Sequence, residues 1–412
     1  MFLLYNIGIR VFNVLIWLSS FANIKTRQWI NGRKNLFKEL SKIDFHKHNI
    51  AWFHCASLGE FEQGRPVIEQ FRKDYPHFKI LLTFFSPSGY DIRKNYPGAD
   101  FIFYLPIDTP SNARRFIGLV KPQLAFFIKY EFWYNYLKCL RANNIPVVFI
   151  SVIFRPQQIF FRWYGSWFRS QLKGINHFFL QNQASAHLLQ SVGISQYTIG
   201  GDTRFDRVYA IAQSAQSYPL IEEFAKGHRV ILLGSSWEED EKLFQTILND
   251  LPDDIKLIIA PHEPSASHVQ QIHQMFSRPL MNYSALIPEK AATAGILCID
   301  SIGMLSSLYQ YADIAYIGGG FGKGIHNILE AATFGKPIVF GPNYQKFAEA
   351  VDLIQLNAAF SISSNHQLLL VLNQLLTHNE HYQKASHASQ HYVESKTGAC
   401  KIILEHIKNY VQ

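Results

Sequence analysis

The strongest constraint on the fold of this chain is a rhythm of short apolar runs alternating with longer amphipathic stretches, and the series runs twice. Apolar runs at 50–55, 79–84, 100–105, 124–128, 146–152 and 177–181 alternate with helical patterns such as 61–74, 111–120, 133–143 and 182–192. Parallel strands need a crossover between them, so this alternation predicts a parallel sheet with helices on both faces. Polar, proline-bearing residues from 212 to 227 interrupt the series. It then restarts with strands at 229–234, 255–260, 296–300, 314–317 and 337–340 and helices at 240–250, 265–276, 303–311, 324–334 and 366–377. At 412 residues the chain exceeds one ordinary core, and 48% apolar residues suffice for two. The expectation is two Rossmann-like α/β domains facing a cleft, 25–211 and 228–412, joined by a linker at 212–227, with the last helix able to pack back on the first domain.

Residues 1–24 stand apart. They are apolar except for a stripe of Asn6, Arg10 and Asn13 at helical spacing. Arg10 interrupts a span of the roughly 20 apolar residues that crossing a bilayer requires, so a helix lying in the interface is favoured over a single span. No basic region precedes the apolar run, which argues against a cleaved signal peptide. Between Lys25 and Lys47 there are seven basic residues against two acidic ones, within a chain of net charge +8. Directly after an apolar segment, such a cluster fits an anionic lipid surface better than nucleic acid. An insertion at 154–169 carries seven aromatic residues and three arginines, a pattern shared by lipid-contacting surfaces and by aromatic cores. Four scattered cysteines form no C-x-x-C pair and indicate a reducing compartment, with neither a zinc site nor a disulfide framework.

Chemistry-bearing residues fall where strands give way to helices, the place where open parallel sheets hold ligands. The first strand leads into His54-Cys55-Ala56-Ser57-Leu58-Gly59-Glu60, which puts Glu60 at a helix start. A carboxylate there is favoured in its ionised form and suits a general base, or a helix cap. The fourth strand ends in Lys129-Tyr130-Glu131-Phe132-Trp133-Tyr134-Asn135, so Glu131 and Asn135 can face the same cleft. Arg204 and Arg207 offer guanidinium groups to an anion, or pair with Asp202 and Asp206. In the second half, Gly234-Ser235-Ser236 follows a strand without the Lys-Ser/Thr of a P-loop, and the first half lacks G-x-G-x-x-G, which argues against a dinucleotide dehydrogenase. His262 and Glu263 are adjacent on one loop, a poor arrangement for a metal. Beyond the strand at 314–317, a glycine run leads to a helix expected at 324–334, with His326, Asn327 and Glu330 one turn apart. Glycines permit close approach of a ligand and a helix N-terminus attracts phosphate, although a structural turn has the same look.

In this order the motifs resemble the 3-deoxy-D-manno-octulosonic acid (Kdo) transferases of lipopolysaccharide assembly, over nearly the whole chain. The resemblance rests on the apolar N-terminus, His-x-Ala-Ser-x-Gly-Glu at 54–60, Glu-x-Trp-x-Asn at 131–135, Gly-Ser-Ser at 234, the His262 loop, Asp300-Ser301-x-Gly-Met and the stretch leading to Glu330. It implies a GT-B fold and an inverting glycosyltransferase, independent of metal and cofactor. Kdo would move from CMP-Kdo to a lipid A precursor at the cytoplasmic face of the inner membrane, with no nucleic acid partner. Glu60 would be the general base, with Ser57, Gly59, Glu131, Asn135 and Arg204 lining the acceptor cleft. Ser235, Ser236, His262, Ser301, Gly303, Met304, Gly320, Lys323, Asn327 and Glu330 would hold the donor, Glu330 on the ribose and Asn327 near the phosphate. The chain departs from the family pattern at Lys129 and Tyr134, and its His262 loop lacks the usual arginines, for which Lys323 or Arg204 can substitute. The alternatives are a GT-B transferase or epimerase using a UDP-sugar, and a non-catalytic lipid- or nucleic-acid-binding protein.

Overall fold

The computed structural model describes residues 1–411. They form two compact units, one of Met1–Arg207 with Thr397–Gln412 and one of Val208–Lys396.

The first unit is built on seven parallel strands: β1 (Asn49–Cys55), β2 (Phe78–Phe84), β3 (Phe101–Tyr104), β4 (Leu124–Ile128), β5 (Val147–Val152), β6 (His177–Leu180) and β7 (Tyr197–Ile199). Their order is β3-β2-β1-β4-β5-β6-β7. The strands read as nearly unbroken apolar runs because both faces of the sheet are covered. Alternate side chains divide between two cores: Trp52, Phe127 and Tyr136 pack on one side, and Phe53, Phe71 and Phe126 on the other. The helices are α1 (Phe2–Ser19), α2 (Ile24–Asn31), α3 (Leu36–Leu40), α4 (Leu58–Asp74), α5 (Pro87–Arg93), α6 (Pro110–Val120) and α7 (Tyr134–Ala142), followed by shorter ones. The helix Ala399–Ile407 returns from the end of the chain to pack on α4, with Ile403, Leu404 and Ile407 in that second core.

The second unit repeats the plan with β8 (Arg229–Ser236), β9 (Ile255–Pro261), β10 (Leu280–Asn282), β11 (Ile296–Cys298), β12 (Ile314–Ile317), β13 (Ile338–Phe340) and β14 (Ala359–Ser361). All seven are parallel, in the order β10-β11-β9-β8-β12-β13-β14. In each sheet the strand order turns back on itself beside the first strand, between β1 and β4 and between β8 and β12. Such a reversal opens a crevice at the carboxyl ends of the strands. The doubly wound α/β architecture expected from the sequence is therefore present in both units.

Several details differ from expectation. The short strands β7, β10 and β14, three residues each, were not foreseen. The segment 212–227 is not a plain linker, since it contains the helix Pro219–Ala225, whose Ile221 and Phe224 are buried. The helix expected at 324–334 shrinks to Leu329–Ala332. Gly319 and Gly324 adopt φ values of +89° and +132°, so the chain coils through turns where a helix was expected. The aromatic insertion is mostly core: Phe154 and Phe160 are buried against Phe132, whereas Trp163 is 90% exposed with Tyr164 beside it.

Helix α1 is the one helix long and apolar enough to cross a membrane among the described residues. It buries no residue fully, yet it is docked along the first unit through one face. Phe2 and Tyr5 meet Trp167, Tyr5 also meets Tyr134, and Phe12 meets Trp29 and Phe85. The opposite face, with Leu3, Leu4, Ile7, Val11, Val14, Leu15 and Leu18, is exposed.

Candidate functional site

At the reversal in the first sheet, β1 delivers Glu60 and β4 delivers Glu131. Ser57 occupies the N-cap position of α4 but makes no capping bond with its hydroxyl. It donates to the Glu60 carboxylate in the first turn instead. Gly59 is exposed beside it. Glu131 lies in the loop after β4, 17% exposed. Burial, and then the charge of Glu60, push its carboxyl up to about 7, partly offset by a hydrogen bond from Trp133. Ionising it therefore costs about 3 kcal/mol more than in water. A carboxyl that burial and a neighbouring carboxylate make slow to ionise is a recurring part of acid–base sites.

His54, at the end of β1, completes this cluster and was given no role of its own from the sequence. Its Nε2 accepts a hydrogen bond from Trp133 Nε1 at 3.1 Å, so the ring proton is on Nδ1, 2.9 Å from Thr83 Oγ1. Complete burial holds its pKa down to about 3. Although Glu131 Oε2 is 3.9 Å from Nε2, the ring is neutral and the two do not form an ion pair. The consequence is a rigid, uncharged support that orients Trp133 beside Glu131.

Asn135 is not part of this cluster. It is buried, and its amide donates to Asn6 Oδ1 at 2.9 Å and to the Asp108 carbonyl at 2.7 Å. Arg204 is engaged by Asp202, with Nη2 at 2.8 Å and Nε at 2.9 Å, and Arg207 reaches Glu62 at 2.6 Å.

In the second unit the donor candidates converge at the carboxyl edge of β8, β9, β11 and β12. Ser235 sits at a register break of β8 with φ +54°, a left-handed conformation seldom taken by residues with side chains. Ser236 is fully buried and donates to Glu241 at 2.7 Å, so it supports the loop from below. The buried Asp240 ties the two sides of the reversal together, accepting from the backbone N–H of Trp237 and Gly319 and from Tyr316 Oη. Above it stand three rings: Trp237 Nε1 donates to His326 Nε2 at 2.9 Å, and His326 stacks on His262 at 4.2 Å. Burial and the neighbouring His262 hold His326 down to about 4. Trp237, Glu239, Phe321, Lys323 and His326 line a cavity of about 340 Å³ here.

Ser301 and Gly303 are exposed after β11, with Ser301 Oγ on the buried Met304. Asn327 bridges to Glu330 at 2.9 Å and caps the short helix through the Leu329 N–H. A helix of one turn offers little dipole, which weakens the expected role of its N-terminus toward phosphate. The glycines also serve a different end from the one expected. A Cβ on Gly318 would collide with the Ser235 backbone, and one on Gly320 would lie 2.6 Å from the Gly341 nitrogen. They let β8, β12 and β13 bring their loops together. Among the described residues no three His, Cys, Asp or Glu side chains gather as a metal site requires. Sequence reasoning missed Trp237 and Asp240, whose pairing across the reversal depends on strand order.

Residues 30–207 match the family model for 3-deoxy-D-manno-octulosonic-acid transferase, also called Kdo transferase. The chain is 25% identical over 377 residues to a 3-deoxy-D-manno-octulosonic acid transferase of Rickettsia prowazekii, covering 87% of this chain and 79% of the relative. It is 26% identical over 381 residues to the Bordetella pertussis enzyme of that name, covering 87% of each. Among solved structures, UDP-GlcNAc 2-epimerase from Neisseria meningitidis bound to UDP-GlcNAc superposes with a TM-score of 0.60 over 88% of this chain and all of that one, at 16% identity. That likeness shows the shared two-domain fold. In its matched first domain, and in its alignment with relatives over most of their length, the chain is similar to the 3-deoxy-D-manno-octulosonic-acid transferases.

Proposed function

We propose that this protein moves Kdo from CMP-Kdo to a lipid A precursor by inverting transfer, with Glu60 as the general base. The observation that carries the reading is the pair of carboxyls at the reversal of the first sheet. Glu131 keeps its proton to about pH 7, which leaves room for one negative charge beside it. Glu60, hydrogen-bonded by Ser57, takes the proton of the acceptor hydroxyl. The hydroxyl oxygen then forms its bond to the anomeric carbon of Kdo as the bond from that carbon to the phosphate of CMP breaks, and CMP leaves with the electron pair. The second unit binds the donor at the edge formed by Ser235, His262, Ser301 and Glu330, with Lys323 as the nearby cation. Membrane association through the exposed face of α1 brings the enzyme to its lipid acceptor. The docked face makes an interfacial helix the better account than a span.

The test is incubation with CMP-Kdo and a lipid A precursor, with product masses counting added sugars. Transfer by the wild type and none by Glu60→Gln is expected. A Glu60→Gln enzyme that turns over normally would remove Glu60 from the mechanism. CMP, and not UDP, is expected to raise the unfolding temperature. Protection by UDP alone would favour the UDP-sugar reading instead.

A further inference from the structure

Two of the places where helix α1 meets the rest of the first unit lead toward the loop that carries Glu131. The first is Asp108, a carboxylate 1% exposed. It accepts from Tyr5 Oη of α1 at 2.6 Å and from the backbone N–H groups of Asn135 and Tyr136 at 3.0 Å each. Those two N–H groups belong to the first turn of α7, where intrahelical partners are lacking. The N-cap residue of α7 is Trp133, whose side chain makes no capping bond. Asp108 supplies the cap from a distant loop, with Tyr5 donating to the same carboxylate. Asn6, one residue further along α1, accepts from the Asn135 amide at 2.9 Å.

The second place is a run of rings. Phe12 of α1 stacks on Phe85 at 6.2 Å, Phe85 lies 4.6 Å from Trp133, and Trp133 donates to His54. The loop that runs into these two anchors begins at Lys129, whose φ of +64° is an unfavourable conformation for a residue with a side chain. A loop leaving its strand through such a turn needs outside contacts to hold it. Here α1 supports the end of that loop, through Phe85 at Trp133 and through Asp108 at the first turn of α7.

We infer that α1 holds the Glu131–Trp133 loop in place as well as serving as a membrane attachment, with Tyr5 and Phe12 as positioning residues that act through Asp108 and Phe85. This inference rests on the carboxyl pair being the reaction centre. It explains why the docked face of α1 carries Tyr5, Asn6 and Phe12, residues that a simple lipid anchor would not need. Placement errors of about 1 Å near reacting groups lower rates by roughly a hundredfold, so loss of one of several contacts is expected to cost about tenfold.

The experiment uses full-length enzyme in detergent micelles containing the lipid A precursor, where attachment to a bilayer does not limit the rate. Tyr5→Phe and Phe12→Leu are each expected to lower kcat about tenfold, with KM for CMP-Kdo unchanged and binding to anionic vesicles retained. The falling or rising limb of the pH–rate profile near pH 7 is expected to shift as Glu131 changes its surroundings. Wild-type kcat in both folded variants would overturn the inference, and so would a loss of rate that tracks a loss of vesicle binding. Should Tyr5→Phe fail to fold, Phe12→Leu alone decides by the same criteria. Glu60→Gln is the control for the underlying reading: if it is inactive while both α1 variants turn over normally, only the role of α1 falls.

Discussion

The two units share a strand plan and differ in what they place at its reversal. In the first, side chains dominate: the charge of Glu60 acts on Glu131, and Trp133 joins Glu131 to a neutral His54. In the second the backbone dominates, since Gly318 and Gly320 let neighbouring loops close onto each other while Asp240 binds two N–H groups. One crevice is thus lined by ionisable side chains, and the other is closed by backbone packed on backbone. The same topology accommodates both because it fixes where loops emerge and leaves their content open.

The contrast yields predictions that can break it. The largest concerns the base: Glu60→Gln is expected to lower kcat by about a thousandfold, with CMP still raising the unfolding temperature. If CMP protection vanished as well, the division of labour between the units would be wrong. Next, Gly320→Ala is expected to destabilise the second unit by about 2 kcal/mol through overpacking against Gly341, measured by denaturant unfolding. A change under about 0.5 kcal/mol would mean that the loops can part cheaply. Third, Glu330→Ala is expected to weaken CMP binding about tenfold by calorimetry, as loss of a hydrogen bond to a charged group would. Unchanged affinity would detach Glu330 from the nucleotide.

The last concerns stability as a function of pH. The folded-state pKa of Glu131, about 7, lies above the ordinary carboxyl value of 4.5. Between these values the folded protein binds the extra proton, so this group's contribution favours folding at low pH and is lost as pH rises through about 7. Asp108, raised to about 6 by burial, acts in the same direction. Glu131→Gln is expected to flatten the decline of unfolding free energy between about pH 5 and 7. An identical slope in the variant would show that Glu131 titrates normally.

Much of this was legible in the sequence, for identifiable reasons. The long apolar strands announced themselves because both faces are buried, whereas β7, β10 and β14 are three-residue edge or near-edge strands with too little pattern to see. The carboxylates stood out by position after strands. Asn135 looked like their partner through spacing alone, but the structure turns it toward Asn6 and Asp108. Asp108 escaped notice because an isolated Asp before Thr-Pro reads as a turn residue, and its partners lie 27 and 103 residues away. Glycines 318 to 320 were recognised as a place of close approach, although what approaches is the protein's own backbone. Gly324, with φ +132°, stands outside the helix expected to begin there, which starts only at Leu329, and the apolar pattern of 325–332 did not reveal this.

The docked face of α1 has a practical bearing on how this enzyme can be handled. Trimming an apolar N-terminal segment is a common route to a soluble preparation, and here it would exchange one sticky surface for another. Removing residues 1–24 would take the α1 rings away from Trp29, Phe85, Tyr134 and Trp167 and uncover part of each. It would also take the Tyr5 hydroxyl from Asp108 and leave a buried carboxylate with one donor fewer, at a cost of about 1 to 3 kcal/mol. A truncated preparation that stays in solution would then be the less reliable specimen for kinetics, and surfactant-solubilised full-length chain the better one.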